Sequence, residues 1–382
     1  MNVKFILAAL LLSGTAYAQQ NVSTNGQRYA LLTEGTGAWC QHCSDGAVFV
    51  ENVLAGNPKA IAISVHNSDG MSFADGNTLD DALSDGWPWG TIDMHYFSGD
   101  VVSLNRSQWS TRVNERTALA ADVDLTMTHS YDQTTRTLTV NVTAKALKSI
   151  SGDYNINVYL TEDSVVGPNN NSYNQKNDSV RYNNNPSHKY YKANNDPTKW
   201  YIIGFKHMQV LRATLGGPWG VSGIKNPAAN ATVTKTFTYT VPAQYGGLNV
   251  KLNKLKLVAV VHKAVSGTIS KTNYPDVLGS VQAKVLPWNP SGIAQVSNFT
   301  EMKVFPNPAS SVIGIQALVN EPAETKVTIT NAVGQTVFTK MYPAGGSMFA
   351  ESISVEHLNS GLYFVTVSSN GSSVVEKLFI NK

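Results

Sequence analysis

The sequence predicts a multidomain chain that is α/β near its start and all-β beyond, and three observations predict it. Between Arg28 and about Leu119, extended runs alternate with helical ones. From Asp122 to about Pro287, polar and apolar residues alternate as they do along half-buried strands. A second strand-rich stretch, from about Phe299 to Lys382, follows a segment containing Pro, Gly and Ser.

The chain begins MNVKFILAALLLSGTAYA, with Lys4 ahead of an apolar run from Phe5 to Leu12 and an Ala16-Tyr17-Ala18 ending suited to signal peptidase. Residues 1–18 therefore read as a secretory signal peptide, too short for a stable membrane span. The mature chain is expected to start at Gln19. No other apolar stretch is long enough to cross a bilayer as a helix, so the exported chain is expected to be soluble.

In residues 19–119, Tyr29–Thr33 reads as extended, Ser44–Leu54 as helical, Ile61–Val65 as extended and Asn105–Leu119 as helical, with Trp109 and Val113 on one face. In residues 120–287, Leu138, Val140 and Val142 alternate with polar neighbours, as do Val233, Phe237, Tyr239 and Val241, while Leu257–Val261 suits a central strand. This texture predicts an antiparallel β-sandwich of immunoglobulin-like type. Its long polar loop, residues 167–198, is rich in Asn, Tyr, Lys and Asp and reads as a solvated insertion, with ligand binding as the alternative. A linker over 288–298 leads to residues 299–382, where Val312–Ile315, Lys326–Ile329, Leu362–Val367 and Val374–Ile380 predict a small C-terminal β-sandwich.

The net charge is +3, and +2 once Lys4 is removed with the signal peptide. No basic block offers the clustered cations that nucleic acid or anionic lipid requires. The chain has no Gly-x-x-x-x-Gly-Lys cradle, no Gly-x-Ser-x-Gly elbow and no His-Glu-x-x-His, so nucleotide and hydrolase readings have no local support. No cofactor is expected. Asp75, Asn77, Asp80 and Asp81 offer oxygens to calcium without the spacing of a calcium loop. Asp163-Ser164-Val165 and Asp178-Ser179-Val180 resemble a short bacterial O-glycosylation signal.

Both cysteines of the chain lie in "GAWCQHCSDG", Gly37–Gly46. Structural zinc would need two further ligands at close spacing, and neither His66 nor His95 is spaced to supply them. No metal is therefore assigned. In an oxidising compartment the Cys40-x-x-Cys43 pair is expected to close. At a strand-to-helix turn the first thiol sits at a helix N-terminus, where unpaired N–H groups favour a thiolate. Cys40 is then the nucleophile, and Cys43 resolves a mixed disulfide by intramolecular attack. His42 either favours the Cys40 thiolate further or is a solvated residue at the helix start.

Trp39, Cys40 and Cys43 reproduce the Trp-Cys-x-x-Cys signature of thioredoxin-like proteins. That resemblance implies a thioredoxin-like α/β domain and roles for two further residues. Glu34, six residues before Cys40, stands where thioredoxins carry a buried acid that moves protons to and from the second cysteine. Pro88, in Trp87-Pro88-Trp89-Gly90, stands near where that fold carries a cis-proline beside the thiols. The plain alternatives are a solvent-facing strand-end acid and a trans turn proline. Gly35 and Gly37 depart from the bulky residues thioredoxins place there.

A second resemblance spans about residues 28–285. "EGTGAWCQHC", "ISVHNSDGM" (Ile63–Met71), "GWPWGTID" (Gly86–Asp93) and "VLRATLGGPWG" (Val210–Gly220) resemble the Bacteroidota outer-membrane-protein family named for its twenty-eight-kilodalton founder. The family joins a thioredoxin-like domain to a β-rich one, and brings an architecture more than a reaction. Within its pattern, His66 and Asp69 read as a polar pair at the rim of the redox site, or as a satisfied turn at Asp69-Gly70. Trp39 and Trp87 are further candidates for that rim. "VFPNPAS", "NAVGQTVF", "LNSGLYFVTV" and the terminal "EKLFINK" resemble the C-terminal sorting domain of type IX secretion cargo. This implies passage through the periplasm and contact between residues 299–382 and the outer-membrane secretion machinery. The chain is then attached at the cell surface or outer membrane, or released.

Two functions follow. One is a secreted or surface thiol–disulfide oxidoreductase acting on protein thiols and disulfides. The other is a surface binding or adhesion protein, with a glycan or protein ligand and a structural Cys40–Cys43 disulfide.

Overall fold

The computed structural model describes residues 20–97, 102–177, 186–191, 200–265, 269, 273–285, 299–319, 323–332, 334–345, 348–369 and 372–382. The expected signal peptide, the 288–298 linker and Asp178-Ser179-Val180 lie outside the described residues. The chain divides into two compact units, Met1–Leu286 and Pro287–Lys382.

The first unit begins with β1 (Gln20–Ser23), β2 (Ala30–Thr36), α1 (Cys43–Gly56), β3 (Ala60–His66), α2 (Ala74–Leu83), β4 (Trp89–Ile92) and α3 (Trp109–Ala118). There follow β5 (Val123–Asp132), β6 (Thr137–Ala146), β7 (Asp153–Glu162), β8 (Gln175–Lys176), β9 (Tyr201–Ile202), β10 (Val210–Thr214), β11 (Val221–Lys225) and β12 (Thr232–Thr240). β13 (Gln244–Tyr245), β14 (Leu248–Asn249), β15 (Leu255–Lys263) and β16 (Val277–Lys284) complete it.

β2 and β3 are parallel and joined by α1, and β4 runs antiparallel to β2. Every residue of β2 is buried, which is why its sequence, ALLTEGT, lacks alternation. These strands belong to an eight-stranded sheet of order β16-β15-β7-β10-β3-β2-β4, with β11 also paired to β7. α1 and α3 close one core with Val50, Val53, Trp109 and Val113 against Leu32, Ala62 and Ile92. α2 contributes Leu79 and Leu83 to another, with Ile61, Ile63, Tyr159 and Val260. A four-stranded antiparallel sheet, β1-β5-β6-β12, supplies Leu125, Met127, Val140 and Val142 to a third core against Ile156, Val158, Leu257 and Ala259.

The sequence placed a domain division at 119/120, but the sheet crosses it. β10 lies parallel to β3 with Val210 opposite Ser64, and β7 and β15 continue outward from β10. A buried edge of β3 would leave backbone N–H and C=O groups unpaired, and β10 pairs them. The polar segment from residue 167 also differs from the solvated loop expected: Tyr173, Asn174, Gln175 and Asn177 are buried. Asp163-Ser164-Val165 is built into the fold, with Asp163 accepting from the Gln209 amide and paired to Lys256.

The second unit holds β17 (Phe299–Phe305), β18 (Val312–Val319), β19 (Thr325–Asn331), β20 (Thr336–Tyr342), β21 (Met348–Ser354), β22 (Gly361–Ser369) and β23 (Ser372–Ile380). They form two antiparallel sheets, β17-β18-β21 and β20-β19-β22-β23. Ile313, Ile315 and Ile353 from one sheet and Val327, Ile329, Val365 and Val367 from the other share one core. Among the described residues, no helix is long and apolar enough to cross a membrane.

Candidate functional site

Cys40 and Cys43 form a disulfide with Cα atoms 5.4 Å apart. α1 begins at Cys43 with His42 at the N-cap, so Cys40 lies in the turn entering the helix rather than in its first turn. Both cysteines are buried, at 4% and 1% exposure.

Glu34 lies on β2 and is buried. Its Oε2 accepts from the Ser64 hydroxyl of β3 at 2.9 Å, while Oε1 is buried with no hydrogen-bond partner. A Cβ built on Gly46 would stand 2.8 Å from that Oε1 and 3.0 Å from the Pro88 Cβ. Gly46 is three residues beyond Cys43 on α1, roughly the same helical face. Glu34, Pro88 and the base of the disulfide turn therefore share one small space that only glycine leaves open. Burial lifts the Glu34 carboxyl from 4.5 to about 7, against the Ser64 hydrogen bond, which lowers it. The Trp87–Pro88 bond is cis.

Trp39 and Trp87 stand beside the turn, 37% and 36% exposed, edge to face with centroids 5.2 Å apart. Their neighbours explain the glycines at 35 and 37. A Cβ on Gly35 would meet the Trp89 ring at 1.7 Å, and one on Gly37 would meet the Trp39 ring at 2.6 Å.

His66 and Asp69 are brought together, Nδ1 to Oδ2 at 2.6 Å, but beneath the turn rather than on its rim, with side chains 1% exposed. Asp69 Oδ2 also accepts from the Ala38 amide, and Oδ1 from the Met71 amide, each at 2.8 Å. Burial opposes ionisation of Asp69, but the charge and hydrogen bond of His66 and the two amides outweigh it and hold the carboxyl below its usual range. The His207 ring lies edge to face at 5.0 Å from His66, and burial, then the charge of His66, pushes it down to about 3.

Gln175 and Asn177 went unread in the sequence. Gln175 Nε2 donates to the carbonyls of Cys40 at 2.8 Å and Gly37 at 3.2 Å, and the Lys176 amide donates to the Ala38 carbonyl at 2.7 Å. Ser44 Oγ donates to Asn177 Oδ1 at 2.8 Å. A strap from the polar insertion thus saturates the carbonyls of the Cys40 turn. His42, Asp45, Phe49, Asn105, Arg106 and Ser107 line a cleft of about 480 Å³. Asp45 holds Arg106 and, at 3.1 Å, His188 Nε2.

The calcium candidates diverge on α2. Asp80 turns inward to Trp87, Trp89 and Asn67, whereas Asp75 reaches Thr214. No group of three or more His, Cys, Asp or Glu among the described residues could hold a metal ion.

The family model described as Outer membrane protein Omp28 matches residues 80–273, just over half of the chain. The chain belongs to the Omp28 family. The secretion system C-terminal sorting domain matches residues 303–381, the greater part of the second unit. This Omp28-family protein is therefore exported to the cell surface or outer membrane or secreted, and its tail addresses it to the secretion machinery. The Omp28 match takes in Asp80, Trp87, Pro88 and Gln175, and begins after the Cys40–Cys43 turn.

No curated protein matches the chain. Among solved structures, the Faecalibacterium prausnitzii beta-glucuronidase is 9% identical, covering 64% of this chain and 37% of its own, with a TM-score of 0.19. A Bacteroides fragilis chain assigned as a beta-galactosidase is 11% identical, covering 69% of this chain and 33% of its own, with a TM-score of 0.17. This chain spans about a third of the length of each, and these scores carry no inference about its fold or activity.

Proposed function

We propose that this exported Omp28-family protein is a thioredoxin-like thiol–disulfide oxidoreductase whose Cys40–Cys43 disulfide turns over. The observation that carries this reading is Glu34. A buried carboxyl near neutrality, with one oxygen unpartnered and set against Gly46 and Pro88, is costly in a merely structural role. In exchange chemistry it is a proton donor and acceptor poised at working pH.

A substrate thiolate attacks the Cys40 sulfur, a substrate–Cys40 bond forms, and the Cys40–Cys43 bond breaks. The Cys43 sulfur leaves with the electron pair and takes the Glu34 proton. A second substrate thiolate then attacks the substrate sulfur of the mixed disulfide. Cys40 leaves as a thiolate, favoured by the N-terminal end of α1. The substrate dithiol is oxidised to a disulfide and the protein disulfide reduced by the same two electrons. The reverse sequence reduces a substrate disulfide.

The rate at which a small dithiol reduces the oxidised protein tests this reading across pH. Replacing Glu34 by Gln is expected to slow it about a hundredfold, the usual contribution of a positioned acid, and to remove an inflection near pH 7. An unchanged rate and pH profile would discard the mechanism.

The second reading, a surface binding protein with a structural disulfide, draws on the burial of both cysteines and on the Gln175 strap. On that reading the disulfide resists reduction until the unit unfolds.

A further inference from the structure

Asp80 is the least accounted-for charge near the site. It is 1% exposed, although α2 places Asp81 at the surface. Its Oδ1 accepts from the indole N–H of Trp89 at 2.6 Å and of Trp87 at 3.2 Å, and its Oδ2 accepts from the Asn67 side-chain amide at 2.8 Å. The Asn67 backbone carbonyl in turn accepts from the Trp39 indole at 2.8 Å. One buried carboxylate therefore tethers the tryptophan before Pro88 directly and the tryptophan before Cys40 through a single residue.

Free indoles at a surface rotate and use their N–H groups on water. These two are fixed, edge to face at 5.2 Å, and more than a third exposed. Their rings are preorganised beside the disulfide turn, so a ligand side chain docking on them gives up little of the rim's rotational freedom. Both N–H groups are consumed internally. The rim offers ring faces without donors, which suits an apolar or aromatic side chain better than a sugar, which needs hydrogen bonds as well as stacking. Asp81 and Asp85, near Trp87 in sequence and exposed, add negative charge that favours a cationic neighbour.

We propose that Asp80 is the positioning residue of a Trp39–Trp87 rim, and that this rim selects polypeptide substrates whose reactive cysteine is flanked by an aromatic or large apolar side chain and a basic residue. The cysteine part of this inference rests on the redox reading above; the docking part does not.

Two sets of peptides test it on the full mature chain. Dithiol peptides whose cysteines are flanked by Phe and Lys, or by Gly and Ser, are compared in single-turnover reduction of the protein disulfide at varied peptide concentration. Their serine-for-cysteine counterparts are compared for binding by calorimetry. The Phe- and Lys-flanked peptides are expected to half-saturate and bind at about tenfold lower concentration, the scale of one aromatic pair. Trp87→Ala and Asp80→Asn are each expected to abolish that preference, so that the two peptide sets half-saturate and bind alike. Trp87 is exposed, so its truncation decides the matter even if the Asp80 variant fails to fold. Equal half-saturation and binding for the two peptide sets, or a preference that survives Trp87→Ala, overturns the rim. If neither peptide nor small dithiol reduces the protein, the redox reading falls, and the serine peptides still decide the rim.

Discussion

Replacing Glu34 by Gln removes one titration, and the structure gives its size and sign. The folded carboxyl stands at about 7 against 4.5 for the ordinary group. Each unit corresponds to about 1.4 kcal/mol, so the difference is about 3 kcal/mol. The folded state holds the proton more tightly than the unfolded one. The group's contribution is therefore fully present below pH 4.5 and is lost as pH rises through about 7, above which the loss levels off. Urea unfolding of wild type and Glu34→Gln from below pH 4.5 to above pH 7, followed by tryptophan fluorescence, measures it. Six of the seven tryptophans, Trp39, Trp87, Trp89, Trp109, Trp200 and Trp219, lie in the first unit and only Trp288 falls in the second, so the signal reports mainly the first unit. Subtracting the two curves cancels the other titrating groups, Asp69 and His207 among them. The wild type is expected to lose about 3 kcal/mol relative to the variant across the interval, and a flat difference would refute the buried, proton-holding carboxyl.

Gly35→Ala drives a methyl into the Trp89 ring and is expected to cost about 3 kcal/mol or more in urea unfolding. Gln175→Ala leaves the Gly37 and Cys40 carbonyls without their side-chain donor; the expected loss is about 1–3 kcal/mol, with faster reduction of the disulfide by a small dithiol. A strap that merely covers the turn loosely would change neither quantity. Asp93, buried between Arg28 and Arg116 and accepting from the Leu31 amide, is expected to cost about 3 kcal/mol as Asn, because two buried guanidinium groups lose their shared buried counter-charge and keep only the more exposed Asp122 and Asp276. Deleting residues 303–381 is expected to leave the protein behind the outer membrane, read by fractionation and by protease shaving of intact cells.

What was legible in the sequence was local or carried by spacing. The helix read at Ser44–Leu54 became α1, Cys43–Gly56, because its apolar positions recur at helical period. β5 and β6 show the alternation expected of strands with one face in a core. The disulfide follows from two cysteines three apart in an exported chain, and Glu34 and Pro88 both lie against Gly46. The glycines at 35 and 37, which looked like departures from a pattern, make room for the Trp89 and Trp39 rings.

The rest depended on pairing across long stretches of chain. Runs such as Leu257–Val261 suit a central strand in any sheet, and nothing in them says that β7 and β10 carry the sheet on to β3. The strap was hidden by composition, since its Asn- and Tyr-rich sequence looks solvated while Gln175 is buried against backbone carbonyls. Asp80 sits in a polar helix whose sequence does not show which carboxylate turns inward. One signal was available: the indole N–H groups of Trp87 and Trp89 need an acceptor when buried, and a nearby acid is the natural one.

Redox turnover of the disulfide is read from the reduction potential of the oxidised mature protein, paired with trapping by Cys43→Ser. With Cys40 at the entrance to α1, a potential above about −300 mV is expected, and in Cys43→Ser the Cys40 thiolate is expected to attack a disulfide-bearing peptide, releasing one peptide sulfur as a thiolate and leaving a stable Cys40–peptide mixed disulfide. A potential below about −300 mV with no trapped partner would mark the disulfide as structural and rule out its turnover.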